Sequence, residues 1–223
     1  MSYDMKAVTG LYAITPEMAH TERLLGMVSQ AISGGARLFQ YRNKSAGHER
    51  RLEQATALRK LTGEAGARLI INDDFELAMR VSADGVHLGR DDFTGQPVPG
   101  FISAMRQQAL ASGIPSFIVG ISCYDQLERA IAAENAGANY AAFGSFYPSA
   151  TKPDAVRASP ALIVAAKRQL ALPIVAIGGI TVQNAPELIA AGADAVAVVT
   201  ALFNSEDIQS HASAFNALYA NHV

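Results

Sequence analysis

Eight short apolar runs rich in β-branched residues recur along the chain, and each is followed by a stretch whose apolar positions return every three or four residues. The runs predict strands over residues 10–15, 37–42, 68–73, 85–89, 117–122, 140–145, 173–178 and 195–200. Their nearly continuous apolar character is that of parallel strands covered on both faces. The stretches between them predict helices over 21–33, 49–64, 75–81, 101–111, 124–135, 160–170, 184–191 and 208–219. Pairs such as Gly66-Ala67, Gly137-Ala138 and Gly192-Ala193 stand just ahead of strands, where a helix end needs a residue tolerant of positive φ. Eight strand–helix units predict an α/β fold, a (β/α)8 TIM barrel forming one domain over residues 1–223. The rival, an open doubly wound sheet, is disfavoured because no G-x-G-x-x-G follows the first strand. Residues 93–100 carry Gly95, Pro97, Pro99 and Gly100 and read as a surface loop.

Composition narrows the partners. Eighteen Lys+Arg against twenty Asp+Glu give a net charge of −2, with no basic stripe to follow nucleic acid, so no nucleic-acid partner is expected. Residues 1–10 lack the apolar stretch of a secretory signal, and the most apolar segment, 161–180, is broken by Lys167, Arg168 and Pro173. No membrane partner is expected, and a cytoplasmic setting is. The lone Cys123 can form no internal disulfide. A homo-oligomer is compatible with the chain.

In such a barrel every strand's C-terminal end converges on one rim, where catalytic groups collect. Asn72-Asp73-Asp74 ends the third run, and Asp91 and Asp92 follow the fourth. Carboxylates from neighbouring strand ends suit Mg2+, which takes a few such oxygens and fills its remaining positions with water and substrate phosphates. Asp73 and Asp92 are the expected metal ligands; Asp74 and Asp91 read as helix caps. Gln40, Arg42 and Lys44 alternate at the end of the second run, which period-two geometry places on one side, toward the barrel mouth. Two cations there suit a diphosphate, although an exposed basic loop has the same look. Ser149, Ala150, Thr151 and Lys152 combine hydroxyls with an ammonium, the groups of a phosphate site and equally of a polar surface loop. Gly178-Gly179 and Thr200 stand after the seventh run and at the end of the eighth, where barrels of this kind frequently bind phosphate. Cys123 reads as a small core residue and His87 as a hydrogen-bonded interior histidine, since neither has a visible catalytic partner.

The segments Gln40-Tyr41-Arg42-Asn43-Lys44, Ile71-Asn72-Asp73-Asp74, 83–89 followed by Asp92, Gly120-Ile121-Ser122, 144–152 and Ala176-Ile177-Gly178-Gly179-Ile180 together resemble the thiamine-phosphate synthase family. That family joins 4-amino-2-methyl-5-(diphosphomethyl)pyrimidine to hydroxyethylthiazole phosphate and releases diphosphate. The resemblance implies Mg2+ on Asp73 and Asp92, and a pyrimidine diphosphate held by Gln40, Tyr41, Arg42, Asn43, Lys44, Asn72, Ser122 and Lys152. Arg42, Lys44, Ser122 and Lys152 would carry the catalysis. The thiazole phosphate would rest on Ser149, Ala150, Thr151, Gly179, Val199 and Thr200. The chemistry implied is dissociative: diphosphate leaves first, and the thiazole nitrogen then attacks without a protein base. Three alternatives share the barrel: a thiazole tautomerase, another phosphate-handling enzyme such as an isomerase of a phosphorylated sugar, and a non-catalytic protein that binds thiazole phosphate.

Overall fold

The strict alternation of side chains along each predicted strand gives it two faces to bury, and the computed structural model, which describes residues 8–89, 100–148 and 157–220, satisfies both by closing the sheet. The strands are β1 (Gly10–Ile14), β2 (Leu38–Tyr41), β3 (Arg68–Asn72), β4 (Gly85–Leu88), β5 (Ile118–Tyr124), β6 (Tyr140–Phe143), β7 (Ile174–Ile177) and β8 (Ala195–Val198). Between and after them run α1 (Thr21–Ser33), α2 (His48–Glu64), α3 (Phe75–Arg80), α4 (Phe101–Ala111), α5 (Leu127–Asn135), α6 (Pro160–Gln169), α7 (Ala185–Ala190), α8 (Thr200–Phe203) and α9 (Ile208–Ala220). All neighbouring strands are parallel, and β1 pairs with β8 to complete the barrel. No helix among the described residues is long and apolar enough to cross a membrane.

The two faces make two cores. Inside the barrel lie Tyr12, Ile14, Leu38, Ile70, Ile118, Tyr140, Val175 and Ala195. Between sheet and helices lie the alternate residues of the same strands, among them Leu11, Phe39, Leu69, Val86, Val119 and Phe143, packed on Leu24, Leu58, Ile163 and Phe215. Elements end close to where the hydrophobic pattern stops, with three departures. β5 continues through Tyr124 and α5 begins at Leu127 rather than at 124, because the register between β5 and β6 slips between Ser122 and Tyr124 and inserts one residue. β6 stops at Phe143, two residues short of Ser145. Thr200, expected to end strand eight, instead opens the short α8, since β8 stops at Val198.

The N-terminal rim of the barrel is built from one device used three times. Asp84, Asn139 and Asp194, each following an alanine and preceding an even-numbered strand, accept a backbone N–H at the start of the strand before it, from its first or second residue: Leu69 at 2.7 Å, Val119 at 2.8 Å and Ile174 at 2.7 Å. Their own N–H groups return the bond to the carbonyls of Leu69, Val119 and Ile174. Each also meets a cation from an even-numbered helix: Arg59 with Asp84, Arg106 with Asn139 and Lys167 with Asp194. A buried strand N–H without an acceptor costs about 1–3 kcal/mol. Asp194→Ala is therefore expected to lower the urea midpoint by a loss of that size, while Asp194→Asn, which keeps an acceptor as Asn139 does, retains most of it. Because this rim is remote from the C-terminal ends of the strands, kcat of the folded Asp194→Ala protein should be unchanged.

Candidate active site

At the opposite rim β3 ends in Asn72, and the chain turns sharply. Asp73 takes a left-handed backbone (φ 62°), which Asp tolerates better than most residues, while the Asp74 N–H bonds back to the Asn72 carbonyl. The turn is tied to the neighbouring strand by the Asp73 N–H, which donates to the His87 carbonyl at 2.8 Å. Asp74 then caps α3 by accepting the Leu77 N–H at 2.9 Å, as expected, and lies 3.3 Å from Arg51. Asp73 is thus left facing the rim, where Lys44 Nζ sits 2.7 Å from its Oδ2. Tyr41, Lys44, Asn72 and Asp73 all border a cleft of about 250 Å3.

The residues after β2 divide between two jobs. Gln40 points into the barrel and is nearly fully buried, whereas Tyr41 points outward and donates its hydroxyl to Gln54 of α2 at 2.9 Å. Burial pushes the Tyr41 phenol up to about 12, so it stays protonated. Asn43 is buried as well, donating to the Met18 carbonyl and to Gln54. The side chains of Tyr41 and Asn43 therefore hold the β2–α2 connection in place, and what they can offer a ligand is backbone. Arg42, expected to face a diphosphate, is paired with Glu17 at 2.7 Å. Glu17 was not among the expected site residues. Desolvation alone would raise its carboxyl, but bonds from Ser45 and the charge of Arg42 hold it below the ordinary range.

Across the barrel interior runs a continuous string of polar side chains. Gln40 Nε2 donates to Tyr12 Oη at 2.9 Å; the Tyr12 and Tyr140 hydroxyls are 2.8 Å apart; Tyr140 Oη is 2.9 Å from His87 Nδ1; and His87 Nε2 is 2.9 Å from Ser122 Oγ. The strand registers explain the string. His87 pairs with Gly120 and Gly120 with Tyr140, so the Tyr140 ring crosses the glycine and stacks on the imidazole at 5.5 Å. A Cβ on Gly120 would lie 1.9 Å from the Tyr140 ring, so glycine is required there. Burial raises the Tyr12 and Tyr140 phenols above their ordinary value. It pushes the His87 imidazole down to about 4, against the opposing pull of the Asp73 charge.

Other expectations find plainer explanations. Gly178 and Gly179 both have positive φ, and a Cβ on either would strike Ser145 or the carbonyls of Tyr147 and Pro148, so close packing of two loops already demands glycine there. Val199 and Thr200 stand at the junction of β8 and α8. Cys123 is buried in the outer core, its thiol pushed up to about 12 by burial, which leaves no thiolate to act as a nucleophile. Asp91, Asp92, Ser149, Ala150, Thr151 and Lys152 lie outside the described residues. Among the described residues no three His, Cys, Asp or Glu side chains gather as a metal cluster.

Two measurements follow. An unfolded histidine takes up a proton near pH 6.5, which buried His87 refuses until about pH 4. Its neutral form therefore supports the fold fully above pH 6.5, and that support is lost as pH falls through this window, by on the order of 3 kcal/mol at most. A flatter stability profile between pH 6.5 and 4 in His87→Asn is the expected signature, read by urea titration at each pH. Cys123→Ala should keep most turnover, and the native thiol should resist alkylation; rapid labelling of folded protein would contradict the burial.

Residues 11–202 match the family model described as "Thiamine monophosphate synthase". The chain is 49% identical over 211 residues to the thiamine-phosphate synthase of Thiobacillus denitrificans, spanning 95% of each chain. It is 48% identical to that of Nitrosospira multiformis, over 96% of this chain and 87% of the relative. Among solved structures, thiamine phosphate pyrophosphorylase from Pyrococcus furiosus superposes with a TM-score of 0.81 at 31% identity, covering 98% of both chains.

Proposed function

The chain belongs to the thiamine monophosphate synthase family, and we propose that the rim formed by the ends of β2 to β5 binds and ionises the pyrimidine diphosphate substrate of that reaction. The enzyme is a transferase: it joins 4-amino-2-methyl-5-(diphosphomethyl)pyrimidine to hydroxyethylthiazole phosphate, giving thiamine phosphate and diphosphate. What carries the site assignment is the grouping of Lys44, Asn72 and Asp73 at one strand end, with Ser122 two strands away at the lumen's edge.

The donor set fits Mg2+. Asp73 supplies a hard carboxylate oxygen at the rim, only partly exposed and balanced by an ammonium rather than locked in the core. Asp73, with Asp92 from the next strand's loop, would hold the ion. Mg2+ bound there supplies charge neutralisation to the departing diphosphate. The remaining work belongs to the chain's own groups. Lys44 exchanges Asp73 for a phosphate oxygen, and Arg42 exchanges Glu17 for another. Both pairs are partly exposed, and such pairs are worth only about 0–1 kcal/mol, so a diphosphate with stronger charge-assisted bonds displaces them readily. Lys152 adds a further cation in the same reading, and Tyr41 and Asn43 fix the loop that presents Arg42 and Lys44. Gln40 lies toward the pyrimidine. The thiazole phosphate rests on Ser149, Ala150, Thr151, Gly179, Val199 and Thr200, an arrangement supported by the frequent use of the loops after strands seven and eight for phosphate. Holding both substrates aligned lets the thiazole nitrogen attack with no base, which agrees with the absence of a nucleophile–base pair at Cys123. A cytoplasmic setting belongs to the same proposal, supported by a free buried thiol and phosphorylated substrates.

The test is release of diphosphate from purified protein. It should require both substrates and Mg2+, stop on addition of EDTA and resume when Mg2+ is restored. Asp73→Ala should fold normally and lose at least about 10²-fold in kcat, as single electrostatic groups do in other enzymes. Diphosphate release at full rate in EDTA, or isomerisation of a thiazole carboxylate phosphate without coupling, would contradict the reading.

A further inference from the structure

Counting donors along the buried string gives it a direction. Gln40 presents its Nε2 to Tyr12 Oη, so that oxygen accepts, and the Tyr12 proton is left for Tyr140 Oη, 2.8 Å away. The Tyr140 oxygen, occupied by that proton, sends its own to His87 Nδ1, 2.9 Å away. An imidazole whose Nδ1 accepts is neutral and carries its proton on Nε2, which donates to Ser122 Oγ at 2.9 Å. The Ser122 hydroxyl proton is then the first in the series with no acceptor among the described residues to take it. At the other end, Gln40 has its amide nitrogen engaged by Tyr12, and its amide oxygen has no partner among the described residues.

We propose that Tyr12, Tyr140 and His87 are positioning residues forming one polarised hydrogen-bond chain, which makes Ser122 a donor toward the departing diphosphate and Gln40 an acceptor toward an N–H of the pyrimidine. A chain of this kind has only two self-consistent settings. Turning the Gln40 amide over would put Nδ1–H on His87, make Ser122 donate to Nε2, and leave a serine lone pair facing an anion. An anion at Ser122 selects the first setting, since an oxygen lone pair aimed at a phosphate oxygen repels it. The rigid seat of the chain also speaks for a fixed direction: Tyr12, Tyr140 and Gln40 are almost entirely removed from solvent, and the two tyrosine rings meet edge to face at 5.9 Å. Water is thus kept from supplying the missing donors or acceptors. The roles given to the two ends rest on the transferase reading above; the direction of the chain is measurable without it.

The experiment is nitrogen NMR of the full-length, ligand-free protein with 15N-labelled histidine near neutral pH. The His87 signals are identified by their disappearance in His87→Asn. An Nε2–H tautomer is the expected result, and an Nδ1–H tautomer or an imidazolium overturns the chain whatever the activity. Catalysis supplies the second arm. Tyr140→Phe and Ser122→Ala should each lower kcat with saturating Mg2+, by about 10- to 100-fold for Tyr140→Phe, the range seen when a supporting partner of a functional group is lost in other sites. KM for thiazole phosphate should be unchanged. If Tyr140 acts through Ser122, the double variant loses no more than Ser122→Ala alone. Multiplying losses would mean that Tyr140 acts only on the fold, and would overturn the positioning role. Failure of the transferase reading appears differently, as an absence of diphosphate release in the unaltered protein while the histidine tautomer is still read.

Discussion

A closed parallel barrel leaves its inward-facing side chains nowhere to go but toward one another. Any polar group on the inner face must find its partner inside, because the sheet has no open face there and an unpaired buried donor costs about 1–3 kcal/mol. In this chain the inner face is apolar for much of its length, through Ile14, Leu38, Ile70, Ile118 and Val175. It is crossed by a polar string in which Gln40, Tyr12, Tyr140, His87 and Ser122 answer one another in sequence, Tyr140 reaching in from the first position of β6. The constraint that forces these groups together also decides where polar chemistry can emerge from the barrel: at the rim, where the string meets Ser122 and where Asn72 pairs in register with His87.

At the rim the energetics reverse. Lys44 with Asp73 and Arg42 with Glu17 are partly exposed, and such pairs contribute about 0–1 kcal/mol each. They keep oppositely charged groups apart from bulk counter-ions and in known positions while remaining easy to exchange. A preformed interior beneath an exchangeable surface suits a reaction in which two phosphorylated substrates enter and a diphosphate leaves.

Much of this was legible in the sequence for a physical reason. Strands covered on both faces must be apolar at nearly every position, so eight runs announced eight strands, and their ends announced the rim. The Asp74 cap, the buried Cys123 and the interior His87 followed from local chemistry. The polar string did not. Tyr12 and Tyr140 sit inside apolar runs and look like core aromatics; only the barrel register, which sets Gly120 between His87 and Tyr140, shows that their hydroxyls meet. Glu17 was equally hidden, since its partner Arg42 stands 25 residues away. The side chains of Tyr41 and Asn43 share a motif with Gln40 and Lys44 but lie on the opposite face, a separation that motif reading passes over and strand alternation explains. The short α8 was missed because four residues carry too little periodicity to read.

In the proposed site Lys44 and Asp73 form a resting pair that parts when substrate and metal arrive. A crystal structure of the protein with Mg2+, diphosphate and thiamine phosphate would show whether the pair opens. The Asp73 and Asp92 carboxylates are expected on the metal, with Lys44 Nζ moved from Asp73 to a diphosphate oxygen. A complex in which the Lys44–Asp73 pair stays closed, with metal and diphosphate bound elsewhere, would contradict this.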